Sequence, residues 1–120
     1  MSNRTTFTSL HKPSKHVTGT GVAGYVECTF DHLVNLFGEP MIKTDGHKTS
    51  AEWHVEVRLN DVLQGVASVY DYKQHNTYTK DGTETQDITH WHVGGKMGIA
   101  GEVMAFIKHP QMLKQTGNVQ

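Results

Sequence analysis

Cysteine is almost missing: Cys28 is the only one in 120 residues. That excludes an internal disulfide and a cysteine-built zinc site, and it fits a reducing compartment. No apolar run approaches the roughly 18 residues that a membrane helix needs. The opening MSNRTTFTSL lacks the apolar core of a secretory leader. Neither charge dominates, with 11 basic residues against 12 acidic ones. Only Arg4 and Arg58 are arginines, which is thin for phosphate recognition. Direct nucleic-acid binding and membrane association are therefore not expected. One abundance stands out, nine histidines, so imidazole chemistry has to be weighed.

The length suits one domain. Residues 1–18 are rich in Thr, Ser, Lys and His and read as a flexible N-terminal arm, extended or mobile, with room for a short strand at Thr5–Leu10. The domain is expected over 19–109, and 110–120 as a frayed tail. Tyr25–Thr29 alternates like a strand. Phe30, Leu33, Val34 and Phe37 then fall on one helical stripe, with Thr29 as N-cap, Asp31 in the first turn, Gly38 as left-handed C-cap and Pro40 as stop. Ala51, Trp53, Val55, Val57 and Leu59 alternate against Glu52, His54, Glu56 and Arg58, a half-buried strand. A second strand is expected over Gly65–Lys73 and a third over Asp87–Val93, separated by a long polar hairpin loop at 74–87. A final helix runs from Lys96 to His109. The expectation is α+β: an antiparallel sheet of three to five strands, ordered β-α-β-β-β-α, with both helices on one face.

That arrangement leaves the other face open. Glu52, His54 and Glu56 are expected there from the first of the three later strands. The second contributes either Ser68, Tyr70 and Tyr72 or Val69 and Asp71. The third, with Trp91 and Val93 buried, contributes Ile88, His90 and His92. Rings with both apolar area and polar tips suit recognition, so His54, Glu52, Glu56, Tyr70, Tyr72, His90 and His92 are the candidate binding residues.

Three chemical readings compete with plain binding. His90 and His92 share one strand face, and His54 is a third candidate ligand with Glu52 or Glu56 in support, which would make a hydrolytic zinc site. Gly94-Gly95-Lys96 sits between strand and helix and is a candidate anion site. His47-Lys48-Thr49 and His75-Asn76-Thr77 resemble the paired His-x-Thr signature of 2H phosphoesterases, although here both fall in polar loops. There is no GxSxG elbow, and Cys28 is expected to point inward. No catalytic residue, resident metal or cofactor is assigned.

The strings GYVECTFDHLVNLFGEP (24–40), AEWHVEV (51–57), VASVYDYK (66–73) and ITHWHVGGK (88–96) together resemble a group of small, mostly uncharacterised accessory proteins of tailed bacteriophages. The similarity spans about residues 19–107. It implies a protein working in the cytoplasm of an infected bacterium, where such proteins bind and disable a host or defence component, for example a CRISPR effector. It also leaves room for an oligomeric sponge for an immune signalling nucleotide, using Lys96, the Gly94-Gly95 turn, His92 and Tyr70 or Tyr72 for base stacking. The histidines themselves offer the other alternative, a small metal-dependent phosphodiesterase built on His54, His90 and His92. A homo-oligomer is compatible with all three. The helix–FGxP–strands segment also resembles β-lactamase-inhibitor-like binding modules.

Overall fold

Two tryptophans determine which side of the sheet is inside. Trp53 and Trp91 are both fully buried, and their rings meet edge-to-face with centroids 5.5 Å apart. Each indole N–H is satisfied at once, Trp53 by the Gly38 carbonyl at 2.8 Å and Trp91 by the Cys28 carbonyl at 3.0 Å. Large rings can be sealed from water because these donors find partners.

The computed structural model describes residues 4–10, 21–41, 51–72 and 82–110. They form β1 (Thr5–Ser9), β2 (Val22–Glu27), α1 (Phe30–Phe37), β3 (Glu52–Leu59), β4 (Val62–Tyr70), β5 (His90–Gly94) and α2 (Met97–Lys108), with a short 3-10 turn at Thr85–Asp87 before β5. One five-stranded sheet runs β1-β3-β4-β5-β2, and every pairing is antiparallel. The α+β class and the β3-β4-β5 meander agree with the sequence reading. The short strand expected at Thr5–Leu10 is present as Thr5–Ser9, and it belongs to the sheet rather than to a free arm, pairing from Ser9↔Val55 through Thr5↔Leu59 as an edge strand. The sheet therefore reaches back before residue 19, and Phe7 delivers its ring to the core. Residues 1–3 and 11–20, residues 42–50, most of the loop expected at 74–87, and the tail from 111 onward lie outside the described residues.

Local chemistry explains the boundaries. The Thr29 hydroxyl accepts the His32 N–H at 3.1 Å, and Gly38 closes α1 at φ 83°. β4 begins three residues earlier than its Val- and Tyr-rich run suggests. Asn60 and Asp61 both take positive φ, 52° and 72°, which makes a two-residue turn, and pairing resumes at once with Leu59↔Val62. Gly95 sits at φ 129°, and a side chain there would meet the Val66 carbonyl at 3.2 Å.

Both helices cover the Trp53 side. Phe30 of α1 lies over both indoles. Phe106 of α2 stacks on Phe7 with centroids 4.4 Å apart and meets Phe37 of α1. The His32 Nε2–H donates to the Ile107 carbonyl at 2.8 Å and ties the two helices together. Ile88, expected on the open face, is instead buried among these groups. β5 starts only at His90, so the alternation that governs Trp91 and Val93 does not extend back to residue 88.

Equilibrium urea unfolding checks this account. Thr29→Ala is expected to cost about 1 kcal/mol through the lost cap. Gly95→Ala is expected to cost about 1–3 kcal/mol because its backbone conformation disfavours a side chain. Gly24→Ala should cost less than Gly95→Ala, since only the terminal atoms of the flexible Met104 side chain stand in the way.

Candidate functional site

With Trp91 and Val93 directed under the helices, period-two geometry sends His90 and His92 to the opposite face. The same rule resolves β4, whose phase the sequence left open. Ala67 and Val69 join the core, so Ser68 and Tyr70 face outward. The register then aligns Glu52, Tyr70, His92 and Tyr25 in one row across β3, β4, β5 and β2.

Hydrogen-bond phase sharpens the picture between β2 and β5. Just beyond the ladder the Cys28 N–H donates to the Thr89 carbonyl at 2.9 Å. Antiparallel pairs alternate, so Glu27/His90 and Tyr25/His92 are the non-hydrogen-bonded pairs, whose Cα atoms approach to about 4.5 Å and whose side chains lie closest. The outcome is a continuous ring cluster. Tyr25 stacks on His90 at 5.2 Å and meets His92 edge-on at 5.0 Å. Tyr70 stacks on His92 at 5.4 Å, and Tyr72 lies 5.6 Å from it. His90 and His92 are 5.7 Å apart, edge to face. His90 Nδ1 hydrogen-bonds Glu27 Oε2 at the sheet edge.

Of the candidate binding residues, Tyr70, Tyr72, His90 and His92 come together, with Glu52 at one end of the row. Tyr25 and Glu27 complete the group and were not singled out in the sequence. Their alternation around Val26 was visible, but that β2 crosses the fold to pair with β5 was not. His54 requires a correction: it faces away from the helices yet is only 3% exposed, and its Nε2–H donates to Glu52 Oε2 at 2.6 Å. It is a packed residue and no part of an exposed surface. Glu56 is displaced from the row, opposite Thr8 and Val66, and engages Arg58 at 3.1 Å.

The zinc arrangement is not assembled. His54 pairs with Ser68 while His92 pairs with Tyr70, so β4 separates the two histidines, about 10 Å across two strand spacings. Among the described residues no three His, Cys, Asp or Glu side chains form a group able to hold a metal. His47, Thr49, His75 and Thr77 lie outside the described residues.

The Gly94-Gly95-Lys96 turn is explained by packing. A side chain on Gly94 would meet Ser68 Oγ at 2.9 Å and the Gly21 carbonyl at 3.2 Å. The Gly95 N–H is already donated to that same Gly21 carbonyl, so it does not point at an anion. Lys96 instead lines a cavity of about 250 Å³ with Leu63, Gln64, Gly65, Val66 and Ile99. Gly65 faces Ile99 of α2, which places this cavity on the helix side. The phosphate and base positions imagined for a nucleotide thus fall on opposite sides of the sheet.

Burial sets the protonation states. It pushes the Tyr70 phenol up, with Glu52, Tyr25 and Tyr72 adding to the effect. It holds the His92 imidazole below its ordinary 6.5, as does neighbouring His90, against an opposing pull from Asp71. His92 Nδ1 is sealed from water and has no hydrogen-bond partner. Burial, then Glu27, lifts the Cys28 thiol from 9.0 to about 11, which leaves it a poor nucleophile.

No family model, curated protein or solved structure matches the chain. Among the described residues no helix is long and apolar enough to cross a membrane.

Two measurements test these assignments. Cys28 should react with a disulfide reagent about tenfold more slowly than a free cysteine, because its thiolate fraction falls about a hundredfold while the more basic thiolate gains nucleophilicity. For His92, the unfolded chain takes up the proton first. The stability contributed by the neutral ring is therefore present above about pH 6.5 and lost as pH falls through that value toward the lower folded pKa. The His92 imidazole should titrate by NMR with a midpoint below 6.5, and His92→Gln should lose less stability than the parent chain over that window.

Proposed function

We propose that this chain is a non-enzymatic binding protein that antagonises a host or defence protein by stoichiometric contact through the open face of its sheet. The observation that carries the reading is the cluster of Tyr25, Tyr70, Tyr72, His90 and His92. Tyr25 is 50% exposed and Tyr72 is 38% exposed. Large rings on strands offer wide contact area at a small entropy cost, because their backbones are already fixed and few side-chain torsions remain to be frozen. Tyrosine is enriched where proteins dock for this reason. The antagonist role and the infected-cell setting rest on the similarity of the GYVECTFDHLVNLFGEP and ITHWHVGGK segments to tailed-phage accessory proteins.

Affinity capture with the full chain as bait tests the reading. A bacterial lysate should yield one partner at close to equimolar amount. The double variant Tyr25→Ala/Tyr72→Ala should lose it by at least tenfold, the usual effect of removing a central aromatic anchor, while still folding, with a melting temperature lowered only by the cross-strand ring contacts it gives up. Equal capture by parent and variant would count against the tyrosine face as the docking surface.

A further inference from the structure

The open-face cluster carries a chemical bias that narrows its partner. Carboxylates stand at both sides of the rings: Glu52 begins the row at Tyr70, and Glu27 pairs with His90 at the far edge. The described arginine and lysine residues sit elsewhere. Arg58 engages Glu56, the Arg4 backbone joins Asn60 at the β3–β4 turn, Lys96 lines the cavity on the helix side, and Lys108 ends α2. Tyr25 and Tyr72 are the exposed rings of the cluster, and an aromatic face carries the negative side of the ring quadrupole.

Resting on the binding reading above, we infer that this face receives a cationic side chain of the partner protein, an arginine guanidinium or lysine ammonium laid over Tyr25 and Tyr72 and paired with Glu27. Cation and ring face attract, and a carboxylate beside them adds a charge-assisted hydrogen bond. Arginine fits better than lysine because its plane both stacks and forks onto a carboxylate. A nucleotide base would also stack here, but its phosphates would meet Glu27 and Glu52, and like charges repel. The cluster lies on strands away from the cavity at Lys96, which suits a side chain presented by a protein surface.

The test uses the full isotope-labelled chain titrated with hexa-arginine, with hexa-glutamate as the opposite-charge control. Hexa-arginine should shift the amides of Tyr25, Glu27, His90 and His92 saturably, and added salt should weaken the effect. Hexa-glutamate should leave those amides in place. Glu27→Gln and Tyr25→Leu should each weaken hexa-arginine binding about threefold or more, and both should keep the parent's amide dispersion, since each side chain is exposed. No saturable shift at these amides, a larger response to hexa-glutamate, or unchanged affinity in both variants would overturn the inference. A captured partner that depends on Tyr25 and Tyr72 but is not displaced by hexa-arginine would overturn it while leaving the binding reading in place.

Discussion

The burial of Trp91 is the constraint on which the rest depends. β5 is the one strand between β4 and β2, so its phase is locked from both sides. Once the indole is under the helices with its N–H on the Cys28 carbonyl, His90 and His92 have no choice of face. A slip of one residue would put an indole into solvent and two imidazoles into an aliphatic core. The desolvation cost of each makes that register inaccessible. The ring cluster is thus a by-product of core packing, held with core rigidity.

The elements with strong local signals were readable in the sequence. α1 has its stripe, its Thr29 cap and its Gly38 stop within one short segment, and the structure places each in that role. β3 alternates cleanly because only one of its faces meets the helices. β4 was ambiguous because Val66 and Ser68 are buried although they point away from the helices. Burial on both faces blurs the two-residue period, and Val66 and Val69 then look alike from sequence alone. Ile88 was misplaced by extending a strand period through a 3-10 turn.

The candidate site was half legible, for a topological reason. His90 and His92 lie on β5, and Tyr70 with neighbouring Tyr72 at the end of β4, consecutive strands that tend to be neighbours in a sheet. Tyr25 and Glu27 arrive from β2, separated from His90 by more than sixty positions in the chain. Nothing local tells that β2 skips the meander's first two strands and closes on its last. His54 failed in the opposite direction. Its strand position was right and its face was right, but solvent exposure depends on what covers that face, which alternation does not encode.

Two histidine–glutamate pairs on this one face show how burial divides structure from function. His54 with Glu52 is shielded, and a charged or polar group held away from water loses much if its partner is removed. Such a pair anchors the middle of the sheet and resists rearrangement. His90 with Glu27 is solvated, with the Glu27 side chain 70% exposed, where an ion pair contributes little to folding. Exchanging its partner for an incoming cation therefore costs the fold almost nothing. The same two residue types, two strands apart, are a clamp in one place and an open contact in the other, and the difference lies in solvent access alone.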